Sequence, residues 1–242
     1  MQAPMQPSLE HCIWFRDQAF VFIYLPKVAC TSWKLFLWQA SGHSLPPDLQ
    51  YRDVHDASRL NLPYVGQMPA TQQQDFLKEL AAQRIKAAAV IREPRSRVLS
   101  AYLDKILLHS NPQSKFSRTV LPAIQRVYAL KPGQRPSFEQ FLRWNQSHVD
   151  RRQWNPHWRP MVDLLGTPQR LELWPMERID AAAQSVNRHL GSQVAFPQRQ
   201  ALGPRLTHNS QTKLDQFYGP PELTLVEEMY RDDFKLHAEL VA

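Results

Sequence analysis

Glycine is scarce in this chain, seven in 242 residues against twenty prolines, and none of the seven lies between Phe22 and Trp38. That stretch, FIYLPKVACTSWKLFLW, nevertheless has the layout of a strand, a tight turn and a helix start, as in a phosphate-binding loop. Cysteine is rarer still. Cys12 and Cys30 alone make no disulfide framework, so a reducing compartment is expected. Long apolar runs are missing too: AFVFIYL is far too short to span a bilayer. The start MQAPMQPSLEHCIW has neither a basic n-region nor an apolar h-region, which argues against a signal peptide and for a cytoplasmic protein. No internal repeat or low-complexity tract occurs, and turn-rich stretches such as GHSLPPDLQYRD read as loops over one domain.

What is present points to a globular enzyme-sized chain. Hydrophobic residues make up 43% and aromatics 10%, enough for a sizeable core and too much for disorder. One domain, residues 1–242 with its core at about 18–237, is the economical reading. Lysine and arginine exceed the acids by seven, and the pI is about 9.6. That surplus favours a polyanionic ligand, whether nucleotide, sulfated or carboxylated glycan, nucleic acid or anionic membrane.

Three short apolar runs read as buried strands: Ala19–Leu25, Ile85–Ile91 and Arg170–Trp174. Each is followed by apolar residues at helical spacing, so βαβ units and a parallel sheet covered on both faces are expected. Thr71 with Gln74 and Ser137 with Gln140 look like capping boxes, and PPELTLVEEMYRDDFKL reads as a C-terminal helix. Ligands of such sheets bind beyond the carboxyl ends of the strands. Two basic loops lie at those ends, PKVACTSWK and REPRSR.

In the first loop a helix starting near Thr31 would aim unpaired amides and a positive dipole end at the mouth of the sheet. Thr31 and Ser32 add hydroxyls and Lys27 adds a charge, a competent setting for a phosphate-like group. A helix merely capped by Thr31, with Lys27 solvated, explains the same residues. In the second loop Pro94 suits a first helical turn. Ser96 and Ser100 lie four apart on one face with Arg92 near its start, so Arg92 and a serine can grip a second phosphate. A basic surface helix with an ordinary cap is the alternative.

Together, PKVACTSWK and REPRSRVLSAYLDK resemble the two cofactor motifs of the carbohydrate sulfotransferases, the Golgi type whose donor is 3′-phosphoadenosine-5′-phosphosulfate (PAPS). SFEQFLRW, NPHWRPMVDLL, ERI and YRDDF extend the resemblance from about Phe20 to Phe234. It implies an α/β, P-loop-like three-layer fold, with a central parallel sheet flanked by helices. The first loop, Lys27, Val28, Ala29, Cys30, Thr31 and Ser32, would hold the 5′-phosphosulfate; Arg92 and Ser100 would hold the 3′-phosphate. PAP (adenosine 3′,5′-bisphosphate) would be the product. A Walker loop places a metal-ligating hydroxyl directly after its lysine. Here Thr31 comes four residues after Lys27, so no metal is expected. The family commonly has asparagine where this chain has Ser32, which keeps a donor but shortens its reach.

Sulfuryl transfer resembles phosphoryl transfer, and needs a positioned hydroxyl, a base and charge stabilisation on the leaving phosphate. Lys27 suits the leaving group, with Lys34 in second place. A base with a pKa near neutrality suggests histidine. His55, in RDVHDASRL, lies in the region where related enzymes often carry one; a loop histidine bonded to Asp53 or Asp56 is the alternative. His157 is the rival. It matches the family's H-W-x-P element with Trp158 and Pro160, and His157, Trp158 and Arg159 are read as lining the acceptor pocket, with a buried structural pair as the alternative. His208 and Asn209 read as a loop near the nucleotide, and Glu177 as a helix-start acid. The aromatic and basic residues from Trp144 to Arg159 suit sugar rings and anionic groups of a glycan. A soluble enzyme of bacterial type acting on a glycan or hydroxylated metabolite would fit, without nucleic acid or a transmembrane anchor. Rival readings are a P-loop-like small-molecule kinase, which would need the missing metal ligand, a PAPS-binding relative that has lost catalysis, and a basic nucleic-acid-binding protein, for which no helix-turn-helix or RNA-binding signature is found.

Overall fold

The computed structural model describes residues 5–46, 48–55, 57–108, 112, 114–197 and 210–242. Four strands, β1 (Cys12–Phe15), β2 (Phe20–Ile23), β3 (Lys86–Ile91) and β4 (Leu171–Pro175), form one sheet in that order. β2, β3 and β4 are parallel and fall on the three expected runs. β1 is antiparallel to β2, pairing Cys12 with Ile23 and Phe15 with Phe20, so the sheet is mixed rather than wholly parallel. The turn between them, residues 16–19, is too short for a crossover and can only reverse the chain. All four β1 residues are buried, so the strand shows no apolar–polar alternation to announce itself.

The helices, in chain order among the described residues, are α1 (Cys30–Ala40), α2 (Ala57–Leu60), α3 (Ala70–Ala81), α4 (Pro94–Tyr102), α5 (Lys115–Val127), α6 (Phe138–Gln146), α7 (Met161–Leu165), α8 (Ile179–Leu190), α9 (Leu214–Phe217), α10 (Pro220–Met229) and α11 (Arg231–Val241). Thr71 lies inside α3, whose N-cap is Pro69, so it caps nothing. Ser137 and Gln140 do form their capping box at the start of α6. The C-terminal run is two helices, because Tyr230 leaves helical geometry between α10 and α11. Its ring is buried and its hydroxyl donates to the Trp158 carbonyl at 2.5 Å.

The described residues of Met1–Arg92, Met161–Leu206 and Leu240–Ala242 form one compact unit, which contains the sheet. Its core follows from side-chain size. Ala87, Ala88 and Ala89 on the central strand β3 sit beside Val21, Phe22 and Ile23 on β2. Trp33 and Phe36 of α1 are buried, with the Trp33 ring 4.5 Å from that of Phe22. Burying each such side chain is worth roughly 1.5–3 kcal/mol. This pins α1, and with it the loop that precedes α1, to the sheet. The described residues of Glu93–Pro160 and Thr207–Glu239 form a second, helical unit around Val98, Leu99, Tyr102, Phe141, Trp158 and Val226. No linker-like composition separates Arg92 from Glu93, which is why the sequence reads as one continuous domain.

Candidate active site

The loop from Tyr24 to Ala29 joins the carboxyl end of β2 to α1. Lys27 and Ala29 adopt left-handed backbone, with φ of 68° and 50°. Glycine takes this conformation freely, whereas an L-residue loses about 1–2 kcal/mol in it. Between them Val28 is 1% exposed, and its amide donates to the Leu25 carbonyl at 3.3 Å. A buried valine thus anchors the bend that glycines would otherwise permit. Ala29 is the N-cap of α1 and offers no side-chain cap. The amides ahead of Trp33 have no intrahelical carbonyl, so the positive end of α1 opens beside the Lys27 loop.

Thr31 does not cap the helix. It is 3% exposed, and its Oγ1 lies 3.1 Å from His55 Nε2. His55 is exposed, on the 3-10 turn Tyr51–His55. The structure therefore sets the candidate base directly against a hydroxyl of the loop. Ser32 is half-buried one position further on.

Arg92 follows β3, the strand next to β2. Its Nη1 donates to the Lys27 carbonyl at 3.0 Å, so the two strand-end motifs, 65 positions apart, touch. The adjacent parallel strands bring this about, since their carboxyl ends open on the same side. Lys34 turns the other way. It is 5% exposed, with Nζ 4.4 Å from the Tyr24 ring centroid and 5.3 Å from that of Tyr64. Burial lowers its pKa below the usual lysine value, and Cys30 opposes the shift. It braces the first turn of α1 from behind.

In the second unit, Pro94 opens α4 and Glu93 caps it, accepting from the Ser96 amide and from Arg95 Nε, each at 2.7 Å. Ser100 is 8% exposed on the same helix. Ser96 is buried and its hydroxyl lies 3.3 Å from that of Ser210. His157 Nδ1 lies 2.7 Å from Asn155 Oδ1, which orients the ring. Trp158, expected in the acceptor pocket, is 1% exposed and packs edge-on against Phe116 and Phe141, so it serves the core. Arg159 donates to the Trp154 carbonyl and holds its own loop together. Glu177, in the first unit, is exposed in the turn that opens α8. Asp56, His208 and Asn209 lie outside the described residues.

Comparison with known proteins agrees with this geometry. The sequence model of the sulfotransferase family matches residues 10–238. The chain belongs to the sulfotransferase family. It is 27% identical over 208 residues to carbohydrate sulfotransferase 14 of Danio rerio, covering 82% of this chain and 54% of that protein. It is 26% identical over 244 residues to carbohydrate sulfotransferase 11 of Rattus norvegicus, covering 94% and 66%. Carbohydrate sulfotransferase 10 of Danio rerio is 24% identical over 248 residues, covering 89% and 62%. The chain thus spans between about half and two thirds of the length of these curated relatives. No solved structure matches it.

Sequence reasoning overlooked several residues of this sulfotransferase chain. Arg97 is wholly buried in the second unit, donating to the carbonyls of Arg159 at 2.8 Å and Pro156 at 3.0 Å. It fixes the loop that carries His157, and beside Arg95 on the same helix nothing in the sequence marked it as the buried arginine. The Tyr24–Tyr64 cage around Lys34 left no local signal. Among the described residues, no group of three or more His, Cys, Asp or Glu is placed to hold a metal ion, and no helix is long and apolar enough to cross a membrane.

Proposed function

We propose that this chain transfers a sulfuryl group from PAPS to a hydroxyl of a carbohydrate. The observation that carries the reading is the bond from Arg92 to the Lys27 carbonyl, which joins the two anion-binding loops into one cradle. The left-handed bend at Lys27 and Ala29, together with the α1 terminus, turns backbone donors toward an anion. In this reading the Val28–Ser32 segment holds the 5′-phosphosulfate, and Arg92 holds the 3′-phosphate. Lys27 neutralises charge building on the departing phosphate, and the loop lysine does this without a metal ion.

His55 takes the proton of the acceptor hydroxyl as the new sulfur–oxygen bond forms and the bond to the phosphate oxygen breaks. Thr31 supports that assignment. Its hydroxyl reaches His55 from inside the donor loop, so base and donor are set by the same turn of helix. A threonine hydroxyl has one proton to give, to the ring nitrogen or to an anion oxygen. Donor arrival and the orientation of His55 are thereby linked.

Calorimetry of the purified chain with PAP, ATP–magnesium and duplex DNA tests the proposal. Micromolar binding of the bisphosphate without metal, and weak binding of the other two, is expected. Preference for ATP–magnesium would support phosphoryl transfer instead. Incubation with labelled PAPS and a panel of glycans then identifies the acceptor.

A further inference from the structure

The second unit carries a pocket of about 230 Å³, apart from both donor loops in the chain and built wholly within that unit. We propose that this pocket binds one neutral sugar ring. Trp154 and Met229 line it and are buried, 6% and 7% exposed, which gives an apolar floor. The Trp154 indole is fixed because its Nε1 donates to the His148 carbonyl at 2.9 Å. Gln146 Nε2 donates to Glu228 Oε2 at 3.2 Å, tying the end of α6 to the end of α10. Arg151 Nη1 reaches the Met229 carbonyl at 3.4 Å. Three segments are thus linked before any ligand arrives, which lowers the ordering cost of binding.

The lining selects the ligand class. One guanidinium, one carboxylate and one amide surround an apolar floor, with no net charge when His148 is neutral. An anion would meet Glu228, and a cation would meet Arg151. A hydroxyl both donates and accepts, so a polyol satisfies each of these groups in turn. The carbon face of a pyranose matches the indole and the thioether. Val149, 95% exposed, adds an apolar residue at the rim. The volume lies below the roughly 300–1,000 Å³ of pockets for drug-sized ligands, so a single ring fits better than a chain.

Saturation-transfer NMR on the full chain tests the site, with galactose, N-acetylgalactosamine and glucuronate as probes. Glu228→Ala and Gln146→Ala alter exposed side chains and leave the core intact. Transfer to the two neutral sugars at millimolar concentration is expected. Each variant should weaken their binding by about threefold to tenfold, the loss of one or two ordinary hydrogen bonds, while bisphosphate affinity stays unchanged. Absence of transfer to neutral sugars, identical transfer in the variants, or a preference for glucuronate would overturn the proposal. Failure of bisphosphate binding would count against the donor assignment and leave the sugar site standing.

Discussion

Arg92 serves the cradle in two ways, so its removal should cost more than one phosphate contact. Its guanidinium holds the Lys27 carbonyl at 3.0 Å and, in the proposed complex, also grips the 3′-phosphate. A hydrogen bond to a charged group contributes about 1.5–3 kcal/mol, and the bond to the carbonyl adds about 0.5–1.5 kcal/mol by keeping the left-handed loop in place. Arg92→Ala should therefore weaken PAP binding by about 2–4.5 kcal/mol, or roughly 30-fold to 2,000-fold. Arg92→Lys keeps the charge without the planar fork, so it should fall between wild type and alanine. Calorimetric titration with PAP and with adenosine 5′-monophosphate separates the contributions. The monophosphate lacks the 3′ group and should register only the loss of loop order. An alanine variant that binds PAP as tightly as wild type would refute the assignment. Equal losses for both ligands would show that Arg92 acts on the loop alone.

Three further outcomes follow from the same geometry. His55→Ala should lower turnover by about two to four orders of magnitude with bisphosphate affinity intact, whereas Thr31→Val should reduce both and Thr31→Ser should restore them; steady-state kinetics beside calorimetry separates the two, and unchanged turnover in His55→Ala would move the base to His157 or another group. Ala29→Gly should stabilise the fold by about 0.5–1 kcal/mol, because relief of the left-handed backbone outweighs the added chain entropy, and Ala29→Val should destabilise it; thermal melts read both. Lys34 gives a pH signature: burial lowers its pKa, with Cys30 opposing, so the unfolded chain holds this proton more tightly. Stability should then rise as pH climbs through the folded pKa toward the ordinary lysine value of 10.5. The raised pKa values of Tyr24 and Tyr64, due first to their burial, oppose this rise in the alkaline range. Lys34→Met should abolish only the lysine contribution, so the difference between the two denaturation curves across alkaline pH isolates it. A flat difference would refute the cage.

Local pattern foretold whatever depended on local pattern. Phe20–Ile23 lies in a continuous apolar run that Pro26 ends, and Pro94 stands where a helix accepts it, so strand, loop and helix were legible there. β1 was not, because no helical pattern follows Cys12–Phe15; residues 16–19 turn the chain straight back into β2. The meeting of Lys27 and Arg92 could be foreseen through sheet topology, although no spacing rule spans 65 positions. Thr31 and His55, 24 positions apart and joined through an irregular turn, were beyond any such rule; each was suspected singly and their contact was not. Trp158 shows the reverse failure. A tryptophan among arginines resembles a sugar platform, but only packing shows that Phe116 and Phe141 close over it. Arg97 failed likewise, since a cation satisfied by carbonyls looks in sequence like one facing solvent.

In the proposed complex, the Val28 anchor bears on how a nucleotide comes and goes. A loop held curved by an embedded side chain has little slack to take up when empty, so its partner meets a receptor already in shape. Encounter should then be limited by diffusion, and discrimination between nucleotides should be expressed in residence time. Lengthening the segment between Tyr24 and Cys30 by a single residue would unseat the valine and shorten that residence for every nucleotide alike.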